Sequence, residues 1–97
     1  MNDEGSAANL LRRLRSAQGR SLRMASGDLG VAPSHLSRLE RGERHPNADL
    51  TQKLANYYGV SAEVVALAEG RIPPDIVEIL KAHPDELNNL REKYGIQ

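Results

Sequence analysis

Cysteine, tryptophan and phenylalanine are all missing from the 97 residues, and tyrosine occurs only at positions 57, 58 and 94. Without cysteine there is no disulfide framework, no thiolate metal site and no cysteine nucleophile, a composition that fits a reducing cytoplasm. So few aromatics argue against the stacking platforms that hold single-stranded nucleic acid. The core falls to Leu, Val, Ile and Ala. No stretch approaches the roughly 20 apolar residues of a membrane span. The acidic, polar start MNDEGSAAN has no apolar run behind it, so no signal peptide is expected. Strand-like alternation is missing too; apolar residues recur at helical spacing throughout, which predicts an all-α chain. At one domain's length such a chain buries only about two-thirds of its unfolded surface, so its core must come from several short helices, with or without a partner subunit.

The formal net charge is zero, yet the charges are sorted along the chain. Between residues 9 and 46 the bases are Arg12, Arg13, Arg15, Arg20, Arg23, Arg38, Arg41 and Arg44, and the acids are Asp28, Glu40 and Glu43. That stretch carries +5 and the remainder −5. All eight bases are arginine, the side chain that forks onto phosphates and guanine edges. The plain alternative is a salt-bridged surface, and charge alone does not decide between them.

Glycines punctuate the helical pattern. A first helix is predicted from about Ala7 or Ala8 to Ala17, with Leu10, Leu11 and Leu14 inward and Gly19 as its stop. A second begins after Ser21 as N-cap, carries Leu22, Ala25, Ser26 and Leu29, and stops at Gly30. Pro33 suits the first position of a third helix running to Arg41, closed by Gly42. GERHPN reads as a loop. Asn47 caps a fourth helix, about Ala48 to Tyr58, with Leu50, Leu54, Ala55 and Tyr58 inward and Gly59 at its end. Ser61 caps a short fifth with Val64, Val65, Leu67 and Ala68, ending at Gly70. RIPPD is then a proline-stiffened junction, with Asp75 favourable in the next helix's first turn. Pro84 separates that helix from a last one. The predicted organisation is a frayed or disordered segment 1–6, a five-helix block 7–70 and a two-helix extension 71–97.

The second and third helices are joined through one glycine and a few residues, the helix-turn-helix arrangement, in which the second helix of the pair enters the major groove. Sterics assign the positions. Ser26 is small where the helices cross, Gly30 takes positive φ, and Val31, Leu36 and Leu39 pin the third helix. Pro33, Ser34, Ser37 and Arg38 are left pointing outward. Short side chains let a backbone approach base edges closely, and Arg38, the leading candidate for a base contact, reaches guanine O6 and N7.

The stretches LRRLRSAQG (11–19), SLR (21–23), LGV (29–31), PSHLSRLERG (33–42) and LANYYGVS (54–61) resemble the Xre/Cro-type, lambda-repressor-like regulators over about residues 8–69. SxLSRLERG is a specific marker of that family. The resemblance implies a five-helix bundle that binds operator DNA, usually as a two-fold dimer. It implies a structural ion pair between Arg15 and Glu40, phosphate contacts from Ser21 and Arg23, and base contacts from Pro33, Ser34, Ser37 and Arg38. His35 joins that DNA-facing set, and Arg44, His45 and Asn47 are implied to clamp the next phosphates. The chain departs from the pattern at Leu22, where the family often has a phosphate-contacting Gln, and at Ala25, Ser26 and Gly27. A mid-helix glycine costs roughly 1 kcal/mol relative to alanine, so the second helix is expected to be less firmly packed, with Arg23 carrying the phosphate contact there.

Other chemistry finds little support. His35, His45 and His83 fit no ligand spacing, so no metal or other cofactor is expected. His83 reads as a junction before Pro84. Serines have no His–carboxylate partner at a recognisable spacing and no phosphate-cradling glycine loop occurs, so no enzyme is expected. The apolar stripe Ile76, Ile79, Leu80, Leu87, Leu90 and Tyr94 has two readings, packing back on its own bundle or forming a dimer or partner interface. The sequence therefore predicts a cytoplasmic, sequence-specific binder of double-stranded DNA that acts as a homodimeric repressor. The other reading is an antitoxin-type protein that binds a partner through its C-terminal helices and regulates its own operon.

Overall fold

A computed structural model describes residues 6–95, and all regular structure in that range is helical. The expectation for residues 1–6 lies, Ser6 apart, outside the described residues. Seven helices follow in order: α1 (Ala8–Ala17), α2 (Leu22–Leu29), α3 (Pro33–Glu40), α4 (Ala48–Tyr58), α5 (Ala62–Ala68), α6 (Pro74–Ala82) and α7 (Glu86–Tyr94). Three N-termini are closed by side chains. Ser21 Oγ accepts from the Met24 amide (3.0 Å), Asn47 Oδ1 from Leu50 (2.8 Å) and Ser61 Oγ from Val64 (3.2 Å). Helix α3 begins on Pro33 and stops one residue short of its predicted end, with Arg41 as its C-cap.

The core is a single cluster built by α1–α5. Leu11, Ala25, Leu29, Leu36, Leu39, Leu50, Leu54, Ala55, Tyr58 and Val65 are all buried. Leu10, Leu14, Leu22 and Val31 pack partly buried against it. Helix α3 lies on α1 and α2, while α4 lies on α2 and α5. Within α2, Ala25, Ser26 and Leu29 are buried, and a Cβ built on Gly27 meets nothing within 4 Å. The cost of that glycine falls on helix propensity alone.

Side chains from the α1–α2 turn tie down the C-terminus of α4. Gln18 Nε2 donates to the Tyr58 carbonyl (2.9 Å) and Arg20 Nη1 to the Tyr57 carbonyl (3.1 Å). The Arg20 guanidinium also stacks 4.1 Å from the centre of the Tyr57 ring. Tyr57 in turn donates its hydroxyl to Asp28 at the end of α2 (2.6 Å). Carbonyls left over at a helix end are met here by cationic and amide donors from another element.

Helices α6 and α7 bury no residue. Ile76, Val77, Ile79, Leu87, Leu90 and Tyr94 are exposed, with Ile79 at 51 % and Leu90 at 45 %; Leu80 is half-buried. The reading in which this stripe packs back on its own bundle is therefore corrected. Among the described residues, the two amphipathic helices behind the double-proline junction keep most of their apolar side uncovered. The molecule is accordingly drawn out to 46 × 25 × 22 Å, with a radius of gyration of 15.5 Å against about 12–13 Å for a compact chain of this length. Among the described residues no helix is long and apolar enough to cross a membrane.

Candidate nucleic-acid interface

The turn between α2 and α3 is set by three local features. Gly30 caps α2 at φ +74°, a left-handed conformation that L side chains rarely adopt. The Val31 amide then reaches back to the Ser26 carbonyl (3.0 Å), closing the end of α2. Ser26, buried where α2 meets α3, spends its hydroxyl on the Arg23 carbonyl (3.0 Å), so its polar group costs the core little.

Helix α3 is held from beneath. Leu36 and Leu39 are fully buried, and Glu40 is tied to α1 by a bidentate pair, with Arg15 Nε on Oε2 at 2.8 Å and Nη2 on Oε1 at 2.9 Å. Arg15 also donates to the Arg20 carbonyl (2.9 Å). Hydrogen bonding to Glu40 raises the Arg15 pKa above its ordinary value, against the opposing pull of burial. One guanidinium thus fixes the end of α3 to α1 and to the turn that enters α2.

With its apolar side and its last carboxylate committed, α3 turns Pro33, Ser34 and Arg38 outward, exposed, with His35 and Ser37 half-buried beside them. Ser21 and Arg23 at the start of α2, and Arg44, His45 and Asn47 before α4, are exposed as well. Capping orients two of these. Ser21 and Asn47 each use an acceptor oxygen on their own helix, which leaves the Ser21 hydroxyl proton and the Asn47 amide hydrogens as donors. Arg23, Arg38 and Arg44 have no carboxylate within ion-pair distance among the described residues.

Two side-chain arrangements in this region were not anticipated by pattern. His45 Nδ1 lies 2.7 Å from Glu69 Oε1, and Glu69, 4 % exposed, accepts the Ala7 amide with its other oxygen. The loop before α4 is thereby anchored to the N-terminus of α1 and the end of α5. Arg41, at the C-cap of α3, donates to Ser37 Oγ (2.7 Å) and grips Glu43 through Nε (2.9 Å) and Nη2 (3.2 Å). The i, i+4 spacing of Ser37 and Arg41 is visible in the sequence. The 24-residue separation of His45 and Glu69 gives no such sign.

No group of three or more metal-ligating side chains occurs among the described residues. The arrangement instead offers the exposed side of α3, with small hydroxyls and guanidinium groups, and further exposed N–H and O–H donors at the start of α2 and before α4. A polyanion with a groove wide enough for a helix complements it in shape and charge.

The profile of a family described as helix-turn-helix domain matches residues 7–68, which is α1–α5 to the end of α5. The chain is 39 % identical over 54 residues to uncharacterised HTH-type transcriptional regulators from two strains of Mycobacterium tuberculosis. That match takes in 56 % of this chain but only 39 % of each relative, so the chain spans well under half of their length. The crystal structure of the clp gene regulator ClgR from Corynebacterium glutamicum is similar with a TM-score of 0.60 and 25 % identity. That similarity covers 98 % of this chain and 95 % of the other, α6 and α7 included.

Proposed function

The chain belongs to the helix-turn-helix domain family, and on that premise we propose that it is a sequence-specific double-stranded DNA-binding transcriptional regulator. The observation that carries this reading is the outward face of α3, where Ser34 and Arg38 are exposed and Ser37 half-buried on a helix pinned by Leu36, Leu39 and the Arg15–Glu40 pair. Pro33, Ser34, His35, Ser37 and Arg38 face base edges, while Ser21, Arg23, Arg44, His45 and Asn47 hold the flanking phosphates. The names of the relatives, both HTH-type transcriptional regulators, support regulation as the purpose. Such a protein works where the chromosome is, in the cytoplasm.

The protein acts as a homodimer joined through its C-terminal helices. Their apolar stripe is Ile76, Ile79, Leu80, Leu87, Leu90 and Tyr94, of which all but Leu80 are exposed, and Ile76 lines a cleft of about 270 Å³ together with Val64, Leu67 and Ile72. So many exposed large apolar side chains on so small a protein favour burial between chains. Two copies of α3 then lie in successive major grooves about 34 Å apart, which calls for a roughly palindromic operator. Repression follows most simply, because a dimer occupying the duplex excludes other proteins by its bulk. The same uncovered stripe also favours a second reading, an antitoxin-type protein whose arm binds a different protein.

Selection of bound fragments from a random duplex library, with the solution mass measured in parallel, tests both parts. The expected results are an enriched inverted repeat and twice the chain mass. Arg38→Ala should weaken binding to that site and relax one or two base pairs. Equal losses on selected and random DNA would make Arg38 a phosphate contact only. A monomer that binds duplex without sequence preference would overturn the reading, and a monomer that forms a stoichiometric complex with another protein would favour the second one.

A further inference from the structure

Arg41 lies outside the candidate base-reading set, yet its position gives it a defined task. Side chains on a helix lean toward the N-terminus, over the turn before their own Cα. The hydrogen bond from Arg41 Nη1 to Ser37 Oγ at 2.7 Å places the guanidinium back over the outer face of α3. Glu43 holds it there, taking Nε and Nη2 at 2.9 and 3.2 Å. Glu43 is itself fixed. Gly42 turns the chain at φ +76°, and the Glu43 amide donates to the Arg38 carbonyl at 2.9 Å. The carboxylate is thus folded against the end of the helix whose guanidinium it grips.

An arginine has five N–H donors, and this geometry allots three of them. The Nε–Nη2 side is spent on Glu43, and one Nη1 hydrogen on Ser37. One hydrogen on each terminal nitrogen remains, two donors to set against guanine O6 and N7. Ser37, having accepted a bond from Arg41, has its O–H proton left to give. The two side chains therefore present three adjacent donors. We infer that Ser37, Arg41 and Glu43 form one specificity device, in which Glu43 positions the Arg41 fork and Ser37 and Arg41 together select the acceptor edge of a guanine in the major groove.

The selection works by rejection as well as attraction. Cytosine and adenine present an amino group in the groove, which the Arg41 donors meet donor to donor. A lysine at position 41 keeps the charge but has no planar fork for Glu43 to orient. The mutual hydrogen bond holds the Glu43 carboxyl below the usual carboxylate range and raises the Arg41 guanidinium above its own, so the clamp stays ionised in ordinary binding buffers.

This inference rests on α3 entering a duplex, and one experiment separates the two. The full chain and its Glu43→Gln, Arg41→Lys and Ser37→Ala variants are each used to select from a random duplex library. Circular dichroism checks that helix content is unchanged. The wild type should favour guanine by about tenfold at one position of each half-site. Glu43→Gln, Arg41→Lys and Ser37→Ala should each cut that preference to about threefold or less while leaving the other positions as they were. If Glu43→Gln tightens binding to every sequence alike and keeps the guanine preference, Glu43 merely repels DNA and the device is refuted. A guanine preference that survives Arg41→Lys refutes it equally. A wild type that enriches no sequence overturns the DNA-reading function along with it.

Discussion

Replacing Arg15 by alanine would leave Glu40 buried at 5 % exposure with neither of the two hydrogen bonds that now meet its oxygens. Removing one partner of a buried pair costs about 3–5 kcal/mol, because the remaining charge is left without compensation. Arg15 is itself 16 % exposed, so some water already reaches the pair, and the lower end, about 3 kcal/mol, is expected. For a domain of this size that is a large share of the roughly 5–15 kcal/mol of total stability. At about 4–8 °C per kcal/mol, the midpoint should fall by about 12–24 °C. Arg15→Lys keeps the charge but loses the fork and should cost roughly half as much. The double variant Arg15→Met/Glu40→Met should recover most of the loss, since a buried ion pair is often replaceable by apolar packing. Urea and thermal unfolding followed by far-UV circular dichroism read all three. A loss under about 0.5 kcal/mol for Arg15→Ala, the size of a solvated surface pair, would show that the tie between α1 and α3 lies elsewhere.

Gly27→Ala should stabilise the protein by about 0.5–1 kcal/mol, because the added methyl meets nothing within 4 Å and α2 gains helix propensity; a lower urea midpoint would contradict this. Burial pushes the Tyr58 hydroxyl up to about 12, against about 10 in an unfolded chain. The unfolded form therefore releases its proton first, so stability holds below pH 10 and declines between 10 and 12, by at most about 2–3 kcal/mol. Among the described residues the Tyr58 hydroxyl finds no hydrogen-bond partner, so Tyr58→Phe should cost little at neutral pH. It should also remove most of the alkaline decline in stability measured from pH 9 to 12. The smaller share that remains belongs to Tyr57, raised by desolvation and then by its bond to Asp28. Arg23→Ala and Arg44→Ala should each weaken binding about equally across sequences and flatten the slope of log K against log salt by about 1 per protomer. An unchanged slope would remove that residue from the phosphate contacts.

Local rules made the helices legible. Ser21, Asn47 and Ser61 announce their helices because a hydroxyl or amide at the N-cap solves a backbone problem three residues away. Gly30 and Gly59 announce ends because few other residues take positive φ. The pinning of α3 by Leu36 and Leu39 was equally readable, since period and composition agree there. What escaped reading is bonding across long separations. The carbonyls of Tyr57 and Tyr58 draw Gln18 and Arg20 from about 40 residues earlier in the chain, and Glu69 gathers His45 and the Ala7 amide. These contacts depend on where the bundle puts helix ends, which no periodicity encodes. The C-terminal stripe shows the limit from another side. Amphipathic spacing says that a face wants covering, and it is silent on whether the cover belongs to the same chain.

The charge pattern gains its meaning only once the acids are placed. Each of the three acids in the basic stretch has a bonded partner within the protein: Asp28 takes the Tyr57 hydroxyl, Glu40 takes Arg15, and Glu43 takes Arg41. Arg20 is occupied by the Tyr57 ring and carbonyl, and Arg12 bonds its neighbour Asn9 (2.8 Å) without losing its charge. Arg23, Arg38 and Arg44 are exposed, and no carboxylate lies within ion-pair distance of them among the described residues. A solvated surface of ordinary make-up intersperses both signs. Here each of the three acids is bonded within the protein while, among the described residues, Arg23, Arg38 and Arg44 are not ion-paired, so a chain of zero net charge keeps free positive charge along α2, α3 and the loop that follows. Sorting of this kind costs the bundle some like-charge repulsion when it stands alone, and a polyanion relieves it, which is why binding to that face should be steeply salt-dependent.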